Sequence, residues 1–171
     1  MADVKTSVNP LFLREDELRH SIELLFFAYR DFTGEADAIL AGHDLGRAHH
    51  RVIYFVGRNP SIMVSDLLTI LNITKQSLSR VLSRLIDDGY ILARQGPDDK
   101  RQRLLSLTVK GEELERELTN VQKARFSRAY KRAGFDSVDG FLKVLEQMTD
   151  DAPAQSSPSS PPAPHEQKRP A

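Results

Sequence analysis

The segment from Lys75 to Thr108 constrains the fold most, because its hydrophobic spacing changes from helical to alternating within a few residues. In "KQSLSRVLSRLIDDG" the apolar residues fall at i, i+3, i+4, i+7 and i+8, which predicts an amphipathic helix that Gly89 ends. "YILAR" and "RLLSLT" then alternate apolar and polar residues, as the two arms of a hairpin do. The turn "GPDDKRQR" between them carries four consecutive charges. The sequence therefore predicts a helix followed directly by a charged hairpin.

A second, shorter helix precedes this unit. Ser65 is predicted to cap the helix "DLLTILN". Asn72 follows at a position where a tight turn can require a left-handed residue, a conformation that asparagine tolerates. Thr74 is the predicted cap of the next helix. A short helix, a three-residue turn, an amphipathic helix and a charged hairpin, in this order, predict a winged helix-turn-helix.

Long helical patterns lie on both sides of this unit. One begins near Glu15 and extends to Leu40, and its apolar stripe is too wide for one face, which indicates two partners, its own core and another subunit. A further helix fits "LGRAHHRVIYFVG". Thr108 is the predicted cap of the helix "VKGEELERELTNVQKARFSRAYKRAG", and a last helix extends from about Val138 to Met148. The predicted fold class is mainly α with a small β-hairpin wing.

Composition excludes several classes of protein. The chain has no cysteine, which excludes disulfides, thiolate metal sites and catalytic thiols. No window approaches the roughly 18 consecutive apolar residues of a transmembrane helix, and the N-terminus lacks the layout of a signal peptide. The cytoplasm is therefore the expected location. One domain is expected over residues 15–150, with an N-terminal arm over 1–14 and a disordered Pro- and Ser-rich tail over 151–171.

Charge is balanced overall but unevenly distributed. From Asn72 to Lys110 there are eight Lys and Arg against four Asp, so the rest of the chain is acidic. A basic block is expected where one face meets a polyanion, although a solvated surface patch explains it equally well. The polar half of the predicted helix has the residue types that bond base edges and phosphates, although many amphipathic helices have such a face simply for solvation. The candidate DNA-reading residues are Thr74, Lys75, Gln76, Ser77, Ser79, Arg80 and Arg84.

These motifs together resemble the MarR family of bacterial transcription regulators. The resemblance covers roughly residues 15–150 and includes the helix pair "VSDLLTILNITKQSLSRVLSRLIDDGYI" and the wing "GPDDKRQRLLSLTVKG". The Asp-x-Arg signature of the family's wing falls on Asp99 and Arg101. The resemblance implies a winged helix-turn-helix over about 45–109, dimerisation helices over about 15–41 and 109–149, and location in the bacterial cytoplasm, on the nucleoid when DNA is bound.

The resemblance also implies a homodimer on a pseudo-palindromic operator, whose two recognition helices reach major grooves about 34 Å apart. Arg101 at the hairpin tip is expected to enter a minor groove, with Asp99 holding its guanidinium in position. Lys100 and Arg103 are expected to meet phosphates, which set register without reading sequence. The expected dimer interface includes Leu18, Ile22, Leu25, Phe26, Phe141 and Leu145.

The histidines near residue 49 raise two further hypotheses. Two of them, His49 and His50, point about 100° apart on a helix and have no histidine or carboxylate one turn away, so no metal site is predicted. MarR-like proteins bind small anionic or aromatic effectors between the dimer helices and the DNA-binding lobe. The candidate effector pocket therefore comprises Tyr29, His49, Arg51 and Tyr54, although a core or interface role explains these residues as well.

Enzymatic motifs are missing from the sequence. It contains no G-x-S-x-G, P-loop, dinucleotide-binding glycine pattern or H-E-x-x-H. The adjacent aspartates at 87–88 and 98–99 lie at a helix end and a loop tip, where they cannot face each other for acid–base work. We therefore expect no catalytic residues and no cofactor. The competing hypothesis is a winged-helix module whose basic face docks an acidic protein.

Overall fold

The computed structural model describes residues 13–150, and their contacts divide them into two units with a boundary between Arg132 and Ala133. The elements in chain order are α1 (Glu15–Gly42), α2 (Arg47–Arg58), β1 (Ile62–Met63), α3 (Val64–Leu71), α4 (Lys75–Asp87), β2 (Ile91–Gln95), β3 (Arg103–Leu107), α5 (Val109–Ala133) and α6 (Phe135–Met148). The prediction of a mainly helical fold with a small hairpin wing is confirmed. Residues 1–12 of the predicted arm and the predicted tail lie outside the described residues.

The core of the first unit lies where five helices close over the sheet. Each of these helices and the central strand contributes a fully buried aliphatic side chain, because each carries an apolar face at the period of its own secondary structure. These side chains are Leu40, Ile53, Leu67, Leu85, Leu105 and Leu118. The helix-turn-helix and the wing therefore share one core with the end of α1 and the first half of α5.

The sheet has three antiparallel strands in the order β1-β3-β2. In the hairpin, Ile91 pairs with Leu107 and Gln95 pairs with Arg103. β1 adds Ile62 opposite Leu105 on the other edge of β3. The sequence did not predict β1, because two residues are too short to show alternation and their pairing depends on a partner more than forty positions away.

The start of α3 differs from the sequence prediction. β1 leads straight into this helix, so the N-cap is Met63, whose backbone is extended and whose side chain makes no capping hydrogen bond. The prediction that Ser65 caps α3 is therefore wrong. Asn72 ends α3 with φ 48° and ψ 49°, the predicted left-handed conformation.

The second unit contains α6, which begins at Phe135 rather than near Val138. Gly134 separates α5 from α6 with a φ of 85°, a conformation that glycine adopts without strain. None of the residues of α6 is buried, and its apolar side chains include Phe141, Leu142 and Val144, all exposed. Taken by itself, α6 is an amphipathic helix whose apolar side chains are largely exposed.

Candidate nucleic-acid interface

The start of α4 is held by the predicted cap. The Thr74 hydroxyl oxygen accepts a hydrogen bond from the backbone N–H of Ser77 at 3.2 Å and donates to the Ser77 hydroxyl at 2.9 Å. Behind the cap, Leu78, Leu82 and Leu85 anchor one side of the helix in the core. The opposite side is exposed and carries Lys75, Gln76, Ser79 and Arg80. The N-terminal half of α4 therefore presents an open polar face on a rigid element.

Arg84 differs from the other residues that were predicted to contact DNA, because its guanidinium is hydrogen-bonded to two carboxylates. Its Nε donates to Asp88 Oδ2 at 2.5 Å, and its Nη2 donates to Asp44 Oδ2 at 3.2 Å. The hydrogen bond to Asp88 raises the pKa of Arg84 above its ordinary value, so the charge persists at any working pH. Within residues 13–150, it is the only arginine or lysine of α4 and the wing that forms an ion pair.

The tip of the wing is a tight loop from Gly96 to Gln102 between β2 and β3. Its ends are tied by a hydrogen bond from the N–H of Gly96 to the carbonyl of Gln102 at 3.0 Å, and the Gln102 N–H donates to the Asp99 carbonyl at 3.0 Å. A Cβ on Gly96 would lie 2.8 Å from that Asp99 oxygen, so glycine is required for the loop to close. These local hydrogen bonds fix the path of the tip.

Asp99 shapes the tip in a different way from the expected one. Its carboxylate accepts a hydrogen bond from the backbone N–H of Arg101 at 2.9 Å, as in an Asx turn. No ion pair between this carboxylate and the Arg101 guanidinium is formed in the described structure. The side chains of Lys100, Arg101 and Arg103 are exposed. They are therefore available to an external anion.

A shallow cleft of about 180 Å³ lies between α4 and β3. Ser79, Ser83 and Asp87 line it from α4, and Arg103 lines it from the wing. The cleft brings the polar face of α4 next to the first residue of β3. The predicted recognition helix and the predicted wing thus form one continuous surface.

The predicted cap Thr108 holds the end of the hairpin and the start of α5 together. The Thr108 hydroxyl donates to the Gly89 carbonyl at 2.6 Å and accepts from the Gly111 N–H at 3.1 Å, which confirms Thr108 as the cap of α5. A Cβ on Gly111 would lie 2.1 Å from the carbonyl oxygen of Tyr90. A glycine in the first turn of a helix pattern is the signal that such a close backbone contact exists.

A second cavity, of about 380 Å³, lies between α1, α2 and α5. It brings together three of the four predicted effector residues, Tyr29, Arg51 and Tyr54, and the Arg51 guanidinium donates to the Tyr29 hydroxyl at 3.1 Å. His49 does not line it, because its Nδ1 instead accepts a hydrogen bond from the N–H of Gly46 at 3.1 Å. His50 lines the cavity in its place.

Other residues of this cavity were not predicted, because they come from helices that meet only in the folded chain. Arg47 forms a two-pronged ion pair with Asp37, with distances of 2.7 and 2.9 Å to one oxygen, and this hydrogen bonding raises the pKa of Arg47. Burial lowers the pKa of His50, which favours the neutral imidazole. Phe32, Phe126 and Lys123 complete much of the wall. The cavity combines aromatic surface with cationic groups.

The predicted dimer residues lie on open surfaces. Every residue from Leu13 to Asp31 is exposed, including Ile22 at 68% and Phe26 at 63% of their full accessible area. In the second unit, Phe141 is exposed and Leu145 is partly buried. None of the described helices is long and apolar enough to cross a membrane. Residues 13–150 contain no group of three His, Asp or Glu side chains placed to hold a metal ion.

Comparison with known proteins agrees with this geometry. The MarR family model matches residues 43–102. The HTH-type transcriptional regulator PetP of Rhodobacter capsulatus is 54% identical over 142 residues, which cover 83% of this chain and 86% of that protein. The structure of Streptococcus pneumoniae FabT in complex with DNA has the same fold, with a TM-score of 0.70 at 21% identity over 77% of this chain and 94% of that one. Staphylococcus aureus MarR in complex with salicylate and kanamycin aligns with a TM-score of 0.65 at 22% identity, over 78% and 91% of the two chains. This chain therefore belongs to the MarR family of winged-helix, DNA-binding transcriptional regulators, and it is not an enzyme.

Proposed function

We propose that this regulator acts as a homodimer on a pseudo-palindromic operator, with α4 in the major groove and the wing in the minor groove of each half-site. One observation carries the proposal. The exposed cations of α4 and the wing, Lys75, Arg80, Lys100, Arg101 and Arg103, form no ion pair with any described residue. Lysine and arginine side chains left unpaired on one surface are what a polyanion neutralises.

The two parts of the surface have different chemistry and therefore different roles. Gln76 and Arg80 on the open face of α4 can form paired hydrogen bonds with adenine and guanine edges, so they are assigned to sequence reading. Arg101 at the wing tip suits a narrow minor groove, where negative potential is concentrated. Lys100 and Arg103 are assigned to phosphates. Asp99 contributes by fixing the backbone from which Arg101 projects.

The exposed apolar part of α1 supports the homodimer. An apolar stripe from Leu13 to Asp31 is too long to remain in water in a stable monomer, since monomers rarely expose large contiguous apolar patches. A second copy of the chain offers matching apolar surface, since its α1 carries the same stripe. The proposal accordingly assigns dimerisation to residues 15–41 and 109–149 and DNA binding to about 45–109, within a bacterial cytoplasm.

Salt dependence tests whether the partner of this surface is DNA. Operator fragments are first selected from genomic DNA, and their affinity is then measured by fluorescence anisotropy between 50 and 200 mM salt. A protein neutralising about 6–10 phosphates should lose roughly 10³- to 10⁵-fold in affinity over that range. Failure to select any fragment, together with capture of an acidic protein whose affinity falls far less steeply with salt, would contradict the proposal and favour the protein-docking alternative.

The cavity between α1, α2 and α5 supports regulation by a small aromatic anion. Arg51 and Lys123 at its rim make no ion pair with described residues, whereas Arg47 is already matched by Asp37. Tyr29 and Tyr54 supply aromatic walls. An aromatic carboxylate can place its charge on a free cation and its ring against these walls.

A thermal-shift titration with salicylate and a series of aromatic acids tests this part of the proposal. A ligand that binds only the folded state raises the melting temperature with concentration. The wild type should show such a rise, and Arg51→Ala should abolish most of it while leaving the melting temperature without ligand nearly unchanged. If none of these acids raises the melting temperature, the cavity does not bind an aromatic acid effector.

A further inference from the structure

The end of α1 has an unusual residue at a position that normally favours glycine. The N–H of Leu45 donates to the Leu40 carbonyl at 3.0 Å and the N–H of Asp44 donates to the Ala41 carbonyl at 3.2 Å. This is the Schellman pattern, in which the penultimate residue adopts a left-handed conformation and is most often glycine. Asp44 occupies it with a φ of 53°. A non-glycine residue with such backbone strain suggests that its side chain has a function.

The Asp44 carboxylate connects the end of α1 to the end of α4. It accepts a hydrogen bond from Arg84 Nη2, while Arg84 Nε is held by Asp88 one helical turn further along α4. The neighbouring residue, His43, lies with Nδ1 3.1 Å from the hydroxyl of Tyr90. Tyr90 is only 4% exposed, and a buried hydroxyl needs such a partner. We call these four residues, His43, Asp44, Arg84 and Tyr90, the corner latch.

We infer that Asp44 and Arg84 are positioning residues, which set the orientation of α4 relative to α1 and thereby the half-site spacing that the dimer accepts. This inference rests on the proposed function. The corner latch connects the C-terminal end of α4 and the start of β2 to the end of α1, and the opposite end of α1 carries the proposed dimer surface. Arg84 therefore acts through α4 and not on the DNA.

The length of α1 makes the dimer geometry sensitive to small angular changes at the corner latch. α1 has 28 residues, so it is about 42 Å long. A change of about 10° at the corner latch, carried over half of that length, displaces a recognition helix by roughly 3.5 Å relative to the dimer, which is one base-pair step. A small change of angle at the corner latch is therefore enough to let the two recognition helices fit half-sites whose spacing differs by one base pair.

The charges around Arg84 argue against a direct DNA contact. Asp44 and Asp88 both hydrogen-bond its guanidinium, and Asp87 lies beside them at the end of α4. Lys110 also reaches this cluster, since its Nζ donates to the Asp88 carbonyl at 2.7 Å, but three carboxylates still outnumber the two cations, so the cluster is net negative and would repel phosphates. In contrast, Arg80, one turn earlier on the same helix, is exposed and forms no ion pair with any residue that the structure describes.

The test measures spacing preference on operators whose two half-sites are moved one base pair closer or further apart. Each step turns one half-site by about 35°, so wild-type affinity should fall by about tenfold or more. Asp44→Gly and Arg84→Ala should reduce this spacing penalty to less than about threefold, while binding to the native spacing weakens by no more than about fivefold, the range of exposed ion pairs. Asp44→Gly should melt close to the wild type, because glycine adopts the left-handed conformation without strain.

Arg80→Ala is the matched control. It should lose discrimination against a mutated half-site and keep the full spacing penalty, since it leaves the corner latch intact. A full spacing penalty in both Asp44→Gly and Arg84→Ala would overturn the inference. So would a loss of tenfold or more on Arg84→Ala alone, with a salt slope smaller by about one phosphate, because that result would place Arg84 on the DNA. A wild type without any spacing preference would instead refute the proposed dimer on its operator.

Discussion

Replacing Gly111, which is buried in the first turn of α5, by alanine should destabilise the fold although alanine is the better helix former. The added Cβ would lie 2.1 Å from the Tyr90 carbonyl oxygen and 3.3 Å from Leu107 Cβ, so α5 has to retreat by about 1 Å to reach an ordinary contact. That retreat stretches the hydrogen bond from the Thr108 N–H to the same Tyr90 oxygen, 3.0 Å in the native structure.

The expected magnitude follows from three contributions. Overpacking against a fixed backbone costs about 1–3 kcal/mol, and a weakened hydrogen bond at the junction adds about 1 kcal/mol. Alanine recovers about 1 kcal/mol of helix propensity relative to glycine. The free energy of unfolding of Gly111→Ala should therefore fall by roughly 1–3 kcal/mol.

Urea unfolding followed by circular dichroism measures this change, with Gly34→Ala as the control. Gly34 is also helical, but a Cβ there meets no atom of residues 13–150 within 4 Å outside its own turn, so alanine should be neutral or stabilising by up to about 1 kcal/mol. If Gly111→Ala unfolds at the same urea concentration as Gly34→Ala, the close contact with Tyr90 does not constrain the junction.

Four further changes test other parts of the molecule. Arg101→Ala should weaken operator binding strongly in a gel-shift titration while leaving helicity and dimerisation intact, and unchanged affinity would remove the wing tip from the interface. Arg80→Ala should reduce discrimination between operator and random DNA by about 1–3 kcal/mol, and equal losses on both DNAs would contradict base reading. Thr74→Ala should cost about 1 kcal/mol in urea unfolding through loss of the cap on α4, whereas unchanged stability would show that the hydrogen bond from Ser77 contributes nothing. Because burial lowers the pKa of His50, its neutral form stabilises the folded state above about pH 6.5, and that stability should be lost as pH falls through the lowered pKa. His50→Gln should flatten the fall in melting temperature between pH 7.5 and 5, and an identical fall in the variant would show that His50 does not report on folding.

Local signals explain why the helix-turn-helix and the wing could be predicted from the sequence. Asn72 and Thr74 act on the backbone within three residues of their own positions, and the hairpin arms alternate regardless of what covers them. The expectation at Ser65 failed because β1, a strand that exists only through pairing with β3, moved the start of α3 forward. A capping motif cannot reveal a strand that a distant segment induces.

The remaining features depend on helices that meet only after folding. The cavity needs α1, α2 and α5 together, so the sequence suggested Tyr29, Arg51 and Tyr54 but not the pairing of Asp37 with Arg47. Likewise, Arg84 was predicted to contact DNA only because its helical spacing places it on the polar face of α4. Two carboxylates reach it: Asp88 lies at i+4, a local spacing that the prediction did not use, whereas Asp44 lies forty residues earlier and has no local signature.

Footprinting of the selected operator shows directly how many copies of α4 and of the wing reach the DNA. We expect two protected major-groove segments with two-fold symmetry, centred about one helical turn or ~34 Å apart, and minor-groove protection where the two wings lie. We also expect that Arg101→Ala loses the minor-groove protection while the major-groove segments remain at higher protein concentration. A single protected segment, or protection without two-fold symmetry, would contradict a dimer that presents one α4 and one wing to each half-site.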